Sequence, residues 1–410
     1  MNVLCKLKLH LGFLLLAAPV VVWGQVPPTQ TQNSGSCRIR PVNTLPGSHQ
    51  FAADFIETIA SDFNSSGNDS NLVWGLTADL SSTVPSRNRA IYISKSADGG
   101  ETWTAVARID PRYFDAKIGE GLRNGLAVSP GGTDFVITTQ QGAFQVFPRA
   151  HGAEAVVKSI PGPRVPHLRP NVIIPKKEGD PVRAGVVKMT ADGKHMIIGY
   201  GYFDLNPQLF SYHRGRDGAW IEDGTLPQLP TDLDIFSMEF GNPEQIHPNS
   251  LYVGTGDQAY KLDFFTMQWD MIAGVGPDSA IHSMSTVGGL HLAACWGVYN
   301  PVSADAVTRV TQASFLLHPG KDEAVPNIRA YGIEVDPAMP NREVLTAITG
   351  VYTSADSGAT WKRINDLPEG EFHTAYFNAD GTIIVSGLAG TFLAKPFSNA
   401  CAPQLRIRNQ

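Results

Sequence analysis

Ser96-Ala-Asp-Gly-Gly-Glu-Thr-Trp103 and Ser354-Ala-Asp-Ser-Gly-Ala-Thr-Trp361 are two copies of one octet, Ser-x-Asp-x-Gly-x-Thr-Trp. A pattern this long with five fixed positions rarely recurs by chance, so the chain carries an internal repeat. The residue types are those of a tight hairpin. Ser and Asp side chains bond the backbone of a turn, and the Gly allows positive φ. The Trp returns the chain into a buried sheet layer.

The same grammar recurs between the two octets in degraded form: apolar strand, turn, apolar strand, turn, strand, hairpin, and a last strand that often opens on Trp. Inner strands are expected to begin near Phe51, Leu122, Ala184, Ile235, Ile281, Ala330 and Phe372. A period of roughly 40 to 70 residues fits four-stranded blades with some long loops. The second strands are expected at Leu72–Thr77, Asp134–Thr139, His195–Tyr200, Ser250–Gly254, Leu290–Trp296, Glu343–Ile348 and Thr382–Ser386. Each is rich in β-branched or aromatic residues and bounded by turn formers. Trp103, Trp220, Trp269 and Trp361, four of the seven tryptophans, then fall at one repeat position, the start of a fourth strand. Ser129-Pro-Gly-Gly, Thr190-Ala-Asp-Gly and Asn378-Ala-Asp-Gly381 read as turns between first and second strands.

The octets resemble the Asp-box, or BNR repeat, of sialidases, sortilin-type receptors, xyloglucanases and many secreted proteins. The resemblance implies an all-β fold, a β-propeller whose Asp-box hairpins (Ser96, Asp98, Gly100, Thr102 and Trp103; Ser354, Asp356, Gly358, Thr360 and Trp361) sit on the outer rim. It names an architecture and leaves the activity open. Seven inner-strand starts imply seven blades, with six or eight left open by the irregular stretch from Val298 to Pro319. The last repeat supplies only three strands, Phe372–Asn378, Thr382–Leu388 and Thr391–Pro396. A propeller must close its ring or leave an exposed edge. Cys37-Arg-Ile-Arg40 is therefore expected beside Thr391–Pro396 as the missing fourth strand, which brings Cys37 near Cys401.

Composition bounds the rest. Residues 1–24 read as a secretory signal, with Lys6 and Lys8 before an apolar run from Phe13 to Val22 and small residues at Val22 and Gly24. That run is too short to span a membrane. Residues 25–36 read as a flexible lead-in and 37–410 as one propeller domain. The expected location is secreted, extracellular or periplasmic, and the expected state is a monomer. Cys5 leaves with the signal, Cys37 and Cys401 are expected to form a disulfide, and Cys295 reads as a buried thiol. Closing a loop of that length contributes roughly 4–5 kcal/mol by chain entropy. Asn64 and Asn68 stand in glycosylation sequons. The net charge of −6 and the absence of a basic block argue against nucleic acid. No cofactor or metal is expected: His151, His167, His195, His213 and His247 lack ligand spacing. Gly254-Thr-Gly256 lacks the helix a dinucleotide site requires.

Propeller ligands bind where the inner strands begin, at the mouth of the central channel. One polar residue near each start gives His49, Arg123, Arg183, Asp234, His282, Arg329 and His373, with Asn124, Asp232, Tyr331 and Glu371 close by. Three arginines suit a carboxylate, because guanidinium forks bind it bidentately. Protonated His282 and His373 would add positive charge at mildly acidic pH. These residues are as well explained as a solvated rim. The leading expectation is a binding or interaction module, its ligand a glycan, another anionic group or a protein. The rival is a glycoside hydrolase at the same site. It would be sialidase-like, with Tyr331 as nucleophile and Asp234 or Glu371 as acid, or xyloglucanase-like, with Asp232 or Asp234 opposite Glu371. Against the first, the family's Phe/Tyr-Arg-Ile-Pro opening is missing; against the second, the chain is about half the length of those tandem enzymes. An assembly role is a third class.

Overall fold

The computed structural model describes residues 39–42, 56–61, 72–78, 91–110, 125–139, 141–149, 154–166, 177–201, 206–241, 247–256, 258–272, 280–294, 297–303, 306–309, 330–358, 360–387 and 389–397. Apart from one 3-10 turn at Pro130–Gly132, the regular elements among them are strands.

A short strand, β1 (Arg40–Pro41), comes first. The first sheet runs β2 (Ile56–Ser61), β3 (Val73–Ala78), β4 (Ile91–Ser96), β5 (Thr104–Ile109), and the next runs β6 (Leu126–Val128), β7 (Phe135–Thr139), β8 (Gly142–Phe147), β9 (Val156–Ser159). Then follow β10 (Ala184–Met189) to β13 (Trp220–Thr225), through β11 (His195–Tyr200) and β12 (Gln208–Arg214). After these come β14 (Ile235–Phe240), β15 (Ser250–Thr255), β16 (Ala259–Asp263), β17 (Gln268–Met271) and β18 (Ile281–Ser285), β19 (His291–Ala294), β20 (Gly297–Ser303), β21 (Ala306–Arg309). The chain ends with β22 (Ala330–Val335), β23 (Glu343–Ala347), β24 (Gly350–Ser354), β25 (Lys362–Arg363) and β26 (Phe372–Phe377), β27 (Ile383–Gly387), β28 (Gly390–Ala394).

The described strands thus make seven four-stranded antiparallel sheets, each an up-and-down meander except the last, whose order is β1-β28-β27-β26. The innermost strands β2, β6, β10, β14, β18, β22 and β26 pack in that cyclic order, and β26 returns to β2. The fold is a β-propeller. Middle strands such as β7, β15 and β23 are buried along their whole length. They are covered on both faces by neighbouring sheets, which is why they read as continuous apolar runs. Outer strands such as β13 are mostly exposed beyond their first residue, and its Glu222 and Asp223 blunt a free edge. The cores lie between sheets. Trp74, Leu76 and Ile93 of the first sheet, for example, interleave with Phe135, Ile137 and Val146 of the second.

Closure joins the two ends of the chain. Arg40 and Pro41 pair with Leu393 and Phe392, and Val42 N–H donates to Thr391 O at 2.9 Å. Asn378 Nδ2 donates to Gly99 O at 2.7 Å across the seam, where Val42, Val73, Trp103, Ile384 and Leu393 share one apolar cluster. Cys37, Cys295, Cys401, the signal and lead-in segments and both sequons lie outside the described residues.

The two octets fold alike, as the hairpins β4–β5 and β24–β25. Ser96 Oγ donates to Asp98 Oδ1 at 2.7 Å and accepts from Gly100 N–H at 2.7 Å. Asp98 in turn accepts from Thr102 N–H at 2.9 Å and from its hydroxyl at 2.5 Å. Ser354, Asp356, Gly358 and Thr360 repeat this set at 2.6–2.8 Å. Gly100 has φ +94°, and a Cβ there would lie 2.7 Å from Ile384 Cδ1, so the turn also needs glycine to dock on the last sheet.

The second inner strand begins at Leu126, after Gly125, and pairs there with Ile137 of β7. The described part of the first begins at Ile56, opposite Thr77. The expected starts at Phe51 and Leu122 lie outside the described residues.

Candidate functional site

Six of the inner strands carry a β-bulge at the same place. Their pairing skips the second residue in β2 (Glu57), β10 (Gly185), β14 (Phe236), β18 (His282), β22 (Tyr331) and β26 (His373). A bulged residue leaves the ladder, bends its strand and re-aims its side chain. In a ring of sheets this puts the skipped residues of those six strands at one register position.

In four consecutive sheets the result is a row of rings. Phe236 lies 5.4 Å from His282, His282 lies 5.7 Å from Tyr331, and Tyr331 lies 5.1 Å from His373, in edge-on or tilted contact. These spacings fall in the favoured range for ring pairs. His373 Nε2 meets Glu371 Oε1 at 2.8 Å, which ends the row on a carboxylate. His282, Tyr331 and His373 are only 5–7% exposed, so the row is largely buried.

The candidates named from sequence divide accordingly. His282, Tyr331, His373 and Glu371 come together. Asp234 and Arg183 are buried at the entries to β14 and β10, and Arg183 O accepts from Gly201 N–H at 3.1 Å. Asp232 is exposed. His49, Arg123, Asn124 and Arg329 lie outside the described residues. Among the scattered histidines, His213 pairs with Asp223 at the surface. No group of three or more metal-ligating side chains forms among the described residues.

Sequence reading missed Phe236 and a second tier. At the fifth position of the inner strands stand Lys188 in β10, Glu239 in β14 and Glu334 in β22, each partly exposed between buried neighbours on at least one side. Lys188 Nζ and Glu239 Oε2 are 2.7 Å apart, linking two adjacent sheets. A fixed offset from each strand start, second for the rings and fifth for the charges, is the signal that could have found both tiers.

No family model matches the chain, and no curated protein matches it. Solved structures do. The chain is similar to the extracellular domain assigned to a one-component system, BT4673 of B. thetaiotaomicron. That match has 12% identity and a TM-score of 0.51, over 87% of this chain and 39% of that one. A second structure of that extracellular domain, there assigned to a hybrid two-component system, matches at 13% identity and 0.51, over 87% and 40%. The chain therefore spans well under half the length of these two. It is also similar to YCF48 bound to D1 peptide, at 13% identity and a TM-score of 0.50, over 88% of this chain and 96% of that one. At such identities the likeness establishes the fold.

Proposed function

We propose that the chain is a secreted, seven-bladed Asp-box β-propeller that serves as a binding module, taking its ligand at the channel mouth. One observation carries the reading: four successive inner strands deliver Phe236, His282, Tyr331 and His373 to one continuous wall from the same bulge. Ring walls of this kind stack on sugar faces or on planar side chains, and imidazole and phenol groups add hydrogen bonds. The ligand is a glycan or another anionic group, with Arg123, Arg183 and Arg329 supplying its counter-charge, or a protein segment. The peptide held by YCF48 shows that a propeller of similar fold can take the latter. The terminal cysteines are proposed to lock the ring, and the module to act as a monomer.

The test is a glycan array and a peptide library screened with wild type, Tyr331→Ala, His373→Ala and Arg329→Ala, with exposed Lys194→Ala as control. Removing a central ring contact should weaken binding by about tenfold, as for hot-spot residues worth about 1–2 kcal/mol. Binding unchanged in all three ring variants would remove the channel mouth as the site. Loss in Arg329→Ala together with preference for acidic sugars would identify the ligand as anionic.

A further inference from the structure

The fourth sheet presents an edge to solvent that the channel-mouth reading does not use. Its outermost strand, β17, pairs with β16 without a bulge, and among the described residues no strand pairs with its other side. By contrast, the pairing of the outer strands β13 and β21 is interrupted by bulges, and β25 and β1 pair over two residues each. The hairpin leading into β17 holds the place that the octets hold before β5 and β25, but its tip is apolar. Phe265 is 95% exposed, Met267 41% and Met271 62%. Phe265 N–H and Thr266 N–H each donate to Asp263 Oδ1 at 2.8 Å, Met267 N–H donates to Asp263 O at 2.8 Å, and Met267 is held at φ +55°. Left-handed backbone in a residue other than glycine persists where the surrounding structure fixes it. The hairpin is therefore a fixed turn that keeps three large apolar side chains in water, which marks a docking surface.

The register states what fits that edge, because side chains form rows that run across a sheet from strand to strand. One row is Tyr252, Lys261 and Asp270, with Lys261 Nζ 6.0 Å from the centre of the Tyr252 ring. The rows on either side are Leu251, Leu262 and Trp269, and Val253, Tyr260 and Met271. A strand added to β17 would set one residue beside Asp270, where a cation completes the row and a carboxylate is repelled. Its two flanking residues would stand beside Trp269 and Met271, where apolar side chains cover carbon surface. Two copies of this chain paired about Asp270 would oppose two carboxylates.

We propose that the β17 edge is a second interaction surface, at the rim, which takes an extended segment of another protein reading apolar–basic–apolar and adds it as a further strand. Backbone hydrogen bonds along the edge supply affinity, and the alternation supplies selectivity. Phe265 and Met267 carry the apolar surface past the start of the strand.

The experiment is fluorescence anisotropy of the full chain with two labelled synthetic probes, Thr-Ile-Arg-Ile-Thr and Thr-Ile-Glu-Ile-Thr, with amide hydrogen exchange to locate the bound probe. The arginine probe should bind wild type and slow exchange in residues 268–271, and the glutamate probe should bind about tenfold more weakly. Asp270→Lys should invert that order. Met271→Ser and Phe265→Ser should each weaken the arginine probe, and exposed Lys194→Ala should match wild type. The replaced side chains are exposed, so Tm should stay near wild type in every variant, which thermal unfolding checks. Failure of the arginine probe to bind wild type would overturn the proposal. So would equal binding of the two probes, binding untouched by Asp270→Lys, or protection confined to residues outside β17 and its hairpin. Because exchange locates the probe, the outcome at this edge is read separately from binding at the channel mouth.

Discussion

Trp103 and Trp361 hold the same place in two hairpins, but their alanine variants should not cost the same. Trp361 is 6% exposed among Ala330, Ile333, Leu345 and Tyr352, and its Nε1–H has no acceptor among the described residues. Trp103 is 4% exposed at the closing seam and donates Nε1–H to Gly100 O at 2.9 Å. Emptying either site costs about 3–5 kcal/mol in lost transfer energy and cavity. Removing an unsatisfied buried donor recovers part of a ~1–3 kcal/mol penalty. Trp361→Ala therefore belongs near the low end, about 3 kcal/mol, and Trp103→Ala near the high end, about 5 kcal/mol. An unfolding entropy of ~2.1 cal/mol/K per residue over roughly 350 residues gives ~0.7 kcal/mol/K, so Tm should fall by ~4 °C and ~7 °C respectively. Calorimetry on both variants, with Trp103→Phe and Trp361→Phe beside them, measures the difference. Phenylalanine should nearly restore Trp361 and leave Trp103 short by one hydrogen bond. Equal losses at the two sites, or a larger loss at Trp361, would refute the reasoning.

Thiol labelling under denaturing, non-reducing conditions should find one free thiol in the mature chain, Cys295, if Cys37 and Cys401 are joined; three labelled thiols would refute the closure. The octet carboxyls predict an acid limb of stability. Burial raises the Asp98 and Asp356 carboxyls, but hydrogen bonds from Thr102 and Ser96, and from Thr360 and Ser354, outweigh it and hold both below the ordinary aspartate value. Groups depressed in the folded state stabilise above the unfolded value of about 3.9 and lose that contribution as pH falls through their folded values. The fall in Tm below about pH 4 should thus be shallower in Asp98→Asn/Asp356→Asn than in wild type, and an unchanged slope would refute it.

The repeat was legible where turn chemistry and strand pattern agree. Ala184, Ile235, Ile281, Ala330 and Phe372 begin inner strands as expected because each apolar start follows a charged or turn-forming residue or a small one. Phe51 and Leu122, the other two expected starts, lie outside the described residues. The site was legible in half. His282, Tyr331 and His373 stood out as polar groups at strand starts. Phe236 did not, because an aromatic in an inner strand reads as core. Lys188, Glu239 and Glu334 did not, because a charge at an alternating position reads as a solvent face. Only the packing of β10 against β14 brings Lys188 within 2.7 Å of Glu239.

The bulge also explains how one fold can carry different sites at no cost to its cores. The skipped residue takes no part in the pairing between the first and second strands, and the first and fourth residues, Ile235 and Met238 in β14 and Ala330 and Ile333 in β22, lie in the apolar clusters. Exchanging the second residue therefore changes the channel wall without emptying a core, and the chain already shows the range: glycine at 185, phenylalanine at 236, histidine at 282 and 373, tyrosine at 331. Chemistry at this mouth is set by six addresses rather than by the architecture. A Gly185→Tyr exchange should extend the ring row by one sheet while leaving Tm near wild type, and a large loss of stability would mean that the second position is part of the core after all.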